Sequence, residues 1–149
     1  MKIQQLSLFV ENQPGQIQKP CRLLAAEGIN IRTLSVADTK QFGILRLIVP
    51  DWERANRILK DAGYVVQVTE VVAIEVPDQP GGLSGVMEAL ENSGVNIEYM
   101  YAFPFGRAST AILIFRFDQP DLAIERLQAA GINVVGGVEL LGREETAAG

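Results

Sequence analysis

Two short segments hold the groups best suited to chemistry. Asn12-Gln13-Pro14-Gly15-Gln16-Ile17 ends one strand pattern, and Asp78-Gln79-Pro80-Gly81-Gly82-Leu83 ends another 66 residues later. In each, a glycine lets the backbone approach a ligand closely, and the amides that follow, Gln16-Ile17 or Gly82-Leu83, are expected to point N–H groups outward at the positive end of a helix. A carboxylate fits there without any basic side chain. Asn12 or Asp78 is then placed to meet an ammonium group, Asp78 with a full negative charge. Asn30-Ile31 and Asn96-Ile97 open the following strands, each offering a side-chain amide that both donates and accepts. A split βαβ order predicts them near the same turn. The bland reading is that all these residues only turn and cap the chain. Local spacing alone does not choose between the two.

Other reactive types read as structural. Cys21 has Met87 at the matching position on an apolar helix stripe, so it is expected to pack rather than react. Asp51/Glu53 and Asp118/Asp121 open the second helix of each copy, where negative charge complements the helix dipole and caps free amides. Tyr99, Tyr101 and Phe103 alternate without basic residues between them, which predicts a packed sheet face rather than base stacking. Trp52, whose copy is Pro120, is expected to anchor a helix start. No histidine is present, and the single cysteine excludes a disulfide framework or a cysteine-clustered metal site. No catalytic residue, metal ligand or cofactor is assigned.

The elements that position these turns occur twice. Leu24, Gly28, Asn30 and Ile31 return as Leu90, Gly94, Asn96 and Ile97 at a spacing of 66 residues; from Ile44-Leu45 onward the spacing is 68, with copies at Ile112-Leu113. Two extra residues therefore fall in a hairpin connection of the second copy. Each copy alternates as a strand (Leu6, Leu8, Val10; Val72, Ile74, Val76) and then shows a helical stripe (Ile17, Cys21, Leu24; Leu83, Met87, Leu90). Prolines 14 and 80 suit a first helical turn. Two strands follow, at about 30–36 and 41–49, and at about 96–103 and 109–117. A helix closed by Gly63 or Gly131 and a last strand, near 64–70 or 132–138, complete each copy. The order strand, helix, strand, strand, helix, strand predicts an α+β fold of two ferredoxin-like βαββαβ units in tandem. Each has an antiparallel four-stranded sheet with both helices on one face. The expected domains are 1–70 and 71–140, with a disordered tail over 141–149. No flexible linker separates them, since Val65 to Val76 is nearly continuous in strand character.

Composition narrows the partners. The chain has 149 residues, is 48% apolar and contains no run long enough to span a membrane; it opens without a signal-like segment, which makes the cytoplasm the expected location. Net charge is −5, unevenly held: residues 1–70 carry 9 basic against 7 acidic side chains, and residues 71–149 carry 4 against 11. Such a chain is a poor nucleic-acid ligand. Residues 111–115 are apolar on both strand faces, so something must cover the second face, either another sheet from the same chain or a partner chain, and a homodimer is expected.

The pattern Asn/Asp-Gln-Pro-Gly-x-Ile/Leu, followed after ten residues by Gly, a branched apolar residue, Asn and Ile, resembles the ACT domain, the small ligand-binding module of amino-acid metabolism. The likeness covers both units, as in a stand-alone tandem ACT protein without a catalytic domain. It implies a module that pairs with another ACT unit and binds a free amino acid where the first loop of one unit meets its neighbour, with an enzyme or regulator of amino-acid metabolism as target. By position, Asn12 and Asn30, and Asp78 and Asn96, match polar ligand contacts of serine-binding members, while Gly15 and Gly81 match close-approach glycines. Val10 and Val76 stand where those members carry a histidine, so serine itself is not carried over. The alternative function is a structural or protein-interaction module with no ligand.

Overall fold

The structure, a computed structural model, describes residues 1–38, 40–106 and 109–141. Residues 142–149 of the expected tail and parts of the two hairpin turns lie outside these residues. Eleven elements follow in order: β1 (Ile3–Glu11), α1 (Gln18–Ala26), β2 (Thr33–Asp38), β3 (Phe42–Ile48), α2 (Trp52–Asp61), β4 (Val66–Pro77), α3 (Gly82–Ala89), β5 (Ile97–Phe103), β6 (Thr110–Phe117), α4 (Pro120–Ala129) and β7 (Asn133–Val135). Contacts divide the chain into two compact units, one over Gln4–Thr69 and one formed by Met1–Ile3 with the residues from Glu70 onward.

In the N-terminal unit the strand order is β2-β3-β1, with the first residues of β4 beyond β1. All described pairings are antiparallel: Leu8 lies opposite Leu45, and Val36 opposite Leu45 on the other side. The alternation of Leu6, Leu8 and Val10 places them on one face, where they join Leu24, Leu45, Leu47, Ala55 and Leu59 in a single core. Burying each of the larger side chains contributes about 1.5–3 kcal/mol.

The C-terminal unit repeats the plan as β7-β4-β6-β5, and Val72, Ile74, Val76, Phe115, Phe117 and Leu127 form its core with Val86 and Leu90 of the α3 segment. The expected α+β tandem fold is what the chain adopts. β4 is a 12-residue strand, rich in valine, that runs without interruption from one repeat into the next. The final strand is shorter than expected. It stops at Val135, where Gly136-Gly137 favours a break, and residues 137–141 form a helical turn that leaves Val138 91% exposed.

Helix details depart from the sequence reading in three places. Pro14 and Pro80 sit in the turns before the helices, since the caps are Ile17 and Gly81. The buried flank is Pro20 and Leu24 in α1, and Val86 and Leu90 in the second copy, so Cys21 is only half-buried and Met87 is 38% exposed. A stripe at i, i+4, i+7 fits several flanks of a short helix, and the packing surface selected the neighbouring one. Asp51 caps α2 by accepting the Arg54 N–H, as expected, but Asp118 does not cap α4, whose N-cap is Gln119 with Pro120 next.

Residues 111–115 are covered on both faces. Ala111, Leu113 and Phe115 face the helices, and Ile112 and Ile114, on the other face, are 2% and 0% exposed within the single chain. The apolar second face therefore needs no second chain to account for it.

Candidate ligand site

Each helix-preceding turn is built by its own backbone. In the first, the Asn12 N–H donates to Gln41 O (3.0 Å), which ties the end of β1 to the start of β3, and the Gln16 N–H donates back to Gln13 O (3.3 Å). In the second, the Asp78 N–H donates to Ser109 O and the Gly82 N–H to Gln79 O, both at 3.0 Å. The amides of Gln16 and Gly82 are thus engaged in the turns and do not point outward, contrary to the sequence expectation. The Leu83 and Ser84 amides of α3 remain in a first helical turn, which offers them no helical acceptor. In α1 the third helical position is Pro20, which has no N–H.

The glycines divide their work. Gly81 caps α3 in the left-handed region at φ +89°, and a Cβ added there would meet nothing within 4 Å. Gly82 is closed in: its Cβ would stand 2.1 Å from Pro77 O, so the missing side chain lets the turn fold back against the end of β4 rather than opening it to a ligand.

Asn30 and Asn96 are not near the turns of their own units. Glu11 pairs with Phe42 at the start of β3, whereas Thr33 pairs with Ile48 at its far end. Six residue steps of a strand separate these ends, about 20 Å. In the other unit Pro77 pairs with Thr110, but Ile97 with Phe117, about 23 Å along β6. In a βαβ crossover the helix carries the chain back to the opposite end of the sheet, so the next strand starts far from the turn. Asn30 and Asn96 are exposed; Ile31 and Ile97 pack against their cores. Asn96 is bracketed by Asp118, whose Oδ1 accepts the Asn96 N–H at 2.8 Å while its own N–H donates to Asn96 O at 3.1 Å.

A groove of about 710 Å³ runs beside the second turn. Gln79, Pro80, Gly81 and Gly82 form one wall, Gly85, Val86, Glu88 and Ala89 of α3 another, and Glu75 to Pro77, Thr110 and Ala130 to Asn133 the rest. Asp78, exposed on the turn, is not among its lining residues. Three polar groups in the groove escaped the sequence reading: Glu75, Thr110 and Asn133. Asn133 lies directly opposite Glu75 across the β4–β7 pairing, and its Nδ2 donates to Glu75 Oε1 at 3.3 Å. Thr110 is the diagonal neighbour of Glu75 on β6, and its Oγ1 is shielded from solvent with no hydrogen-bond partner among the described residues. The signal that could have found them is the repeat itself. Their copies, Phe9 at a spacing of 66 and Phe42 and Val65 at 68, are all apolar.

Among the described residues no group of three or more His, Cys, Asp or Glu side chains is arranged to hold a metal ion, and no helix is long and apolar enough to cross a membrane.

The family model for the ACT domain pair matches residues 1–141. The chain belongs to the ACT domain pair family. This ACT pair is 38% identical to a protein from Bacteroides thetaiotaomicron of known crystal structure, with 95% of this chain and 96% of that one covered and a TM-score of 0.87. Two regulatory subunits of aspartate kinase, from Thermus thermophilus and Thermus flavus, share its fold at 16% identity, with TM-scores of 0.63 and 0.59 over 85% of this chain and 91% of theirs. No curated protein matches the ACT pair.

Proposed function

We propose that the chain is a non-catalytic regulatory module that binds a free amino acid beside the turn between β4 and α3 and acts through pairing of ACT units. The observation that carries this reading is the groove of about 710 Å³, a size suited to a small ligand, set against Gln79, Pro80, Gly81 and Gly82. Its lining offers the side-chain carboxylates of Glu75 and Glu88 to an ammonium group. Membership of a family of regulatory modules points the same way.

The turn Asn12 to Ile17 is the corresponding candidate in the N-terminal unit. Asn30 and Asn96, each at the far end of its own sheet, reach a ligand at a turn when a neighbouring ACT unit presents them, a part we assign to pairing in a homodimer. The cytoplasm is the proposed location, and an enzyme or regulator of amino-acid metabolism the proposed target. A bound amino acid shifts the pairing equilibrium only by its differential affinity for the two arrangements.

Thermal-shift measurements with each of the twenty amino acids test the reading. A ligand present at ~100 times its dissociation constant stabilises the folded state by about 2.7 kcal/mol. A flat response across all twenty leaves the structural or protein-interaction module in its place.

A further inference from the structure

We infer that two copies of the chain pair crosswise through their first helices: α1 of one copy packs antiparallel against α3 of the other, Ile17 and Cys21 against Leu83 and Met87, with Arg22 facing Glu88. The inference deepens the pairing part of the proposed function and does not depend on which ligand binds.

The repeat supplies the first observation. Ile17 and Cys21, one helical turn apart, return 66 residues later as Leu83 and Met87. In both copies this flank is left uncovered: Ile17 is 37% exposed, Leu83 42% and Met87 38%, with Cys21 half-buried. A single exposed apolar side chain is ordinary, but adjacent ones at matching positions of two helices form a repeated apolar face. The groove lies along another flank of α3, since its lining takes in Gly85, Val86 and Ala89 and omits Leu83 and Met87.

The edge strands extend this surface. Leu34 and Val36 of β2 lie opposite Leu47 and Leu45, and Met100 of β5 lies opposite Phe115, so all three point to the helix side, where they are 48%, 48% and 36% exposed. In each unit the first helix carries the chain to this edge strand, so helix and strand offer their apolar side chains on the same side of the unit.

Charge selects the partner. Arg22 of α1 stands where α3 has Glu88, and both are exposed. Pairing α1 with α1 would set Arg22 against its own copy, and α3 with α3 would do the same to Glu88; both are like-charge contacts. Crosswise pairing joins opposite charges. Direction follows from the same two residues. Each stands one position past the centre of its stripe, Cys21 or Met87, and antiparallel packing keeps both on one side of the seam, whereas parallel packing separates them. Met87 is flexible enough to fill the space above the smaller Cys21. A twofold axis between the copies makes the contact twice. It also turns the Asn30 end of α1 toward the turn before α3 of the second copy, the presentation that pairing requires.

Disulfide crosslinking tests the geometry. Cys21 is the single cysteine, so diamide joins two wild-type chains only where α1 meets α1. The expected result is no covalent dimer from the wild type and a covalent dimer from Met87→Cys on a non-reducing gel, because facing positions of such a seam come within the about 4.4–6.8 Å that a disulfide spans between Cα atoms. Adding Cys21→Ser should abolish it. Light scattering supplies the second readout. The wild type should be a dimer at micromolar concentration, and Arg22→Glu, which leaves the groove lining untouched, should raise the dimer dissociation constant about tenfold or more. Combining Arg22→Glu with Glu88→Arg should restore it to within about threefold. A monomeric wild type, a wild-type crosslink through Cys21, a link between positions 21 and 87 inside one chain, or a double reversal that restores nothing overturns the inference. If an amino acid still raises the melting temperature, each of these results leaves the amino-acid reading intact. A flat thermal response beside the expected crosslink overturns that reading and leaves this one.

Discussion

Asn133 Nδ2 meets Glu75 Oε1 at 3.3 Å across the β4–β7 pairing, so the last strand of the repeat holds the carboxylate of a residue that lines the groove. Asn133→Ala is therefore expected to leave the core intact, because Asn133 is exposed, while loosening the orientation of Glu75. Affinity for the amino acid should fall by a few-fold, with the melting temperature nearly unchanged. Calorimetric titration beside a thermal melt checks both halves.

Gly81 and Gly82 should respond to substitution for different reasons. Gly82→Ala places a Cβ 2.1 Å from Pro77 O, a backbone atom that cannot rotate away, so a loss of about 1–3 kcal/mol with a displaced turn is expected. Gly81→Val meets no neighbour, yet it imposes a branched side chain on φ +89°, at a cost of about 1–3 kcal/mol, and adds bulk at the groove wall. Denaturant melts measure the stability losses, and titration shows whether the bulk at residue 81 also blocks the ligand.

Asp118→Ala removes the acceptor of the Asn96 N–H. Since Asp118 does not cap α4, the effect should appear at the start of β5 rather than in the helix. A loss of about 0.5–1.5 kcal/mol is expected. Amide exchange should quicken at Asn96 and Ile97 while the first turn of α4 stays protected; the reverse pattern would contradict the assignment.

Ile114→Lys tests the second face of the sheet. With the side chain 0% exposed in the single chain, a lysine there is a buried charge, and the fold itself should be lost or weakened by more than about 3 kcal/mol. Were that face covered only by a partner chain, the variant would stay folded and simply dissociate. Circular dichroism combined with light scattering separates the two.

Lys2 links stability to high pH. Its ammonium donates to Glu70 (3.0 Å) and Asp121 (3.1 Å), and these contacts, Glu70 foremost, raise its pKa above the usual 10.5. The folded state holds the proton more tightly than the unfolded one, so the contribution is fully present below 10.5 and is lost as pH rises through the higher folded value. Urea melts of the wild type and Lys2→Met should differ at pH 7 and converge as pH rises past the raised folded value.

Repetition in the sequence was enough to read the tandem fold. Apolar residues two apart and residues three or four apart recur in both copies, and those spacings follow from strand and helix geometry whatever the neighbours are. The glycine at each helix end was readable for the same local reason: Gly28, Gly63, Gly94 and Gly131 all adopt positive φ. The unbroken strand character of Val65 to Val76 likewise announced β4.

Tertiary structure alone decided which distant groups meet. Glu75, Thr110 and Asn133 come from three strands that are separated along the chain and joined only by the pairing register, so no local pattern brings them together. The same pairing moves Asn30 and Asn96 away from the turns, because a helix that crosses the sheet returns the chain to its opposite end. Whether Cys21 or Pro20 faces the core was also settled by packing, since a two-turn helix presents several apolar flanks and only contact with the sheet selects one. Local conformation is written in short-range residue types, whereas a site built across strands depends on long-range register, which hydrophobic burial of the whole unit determines.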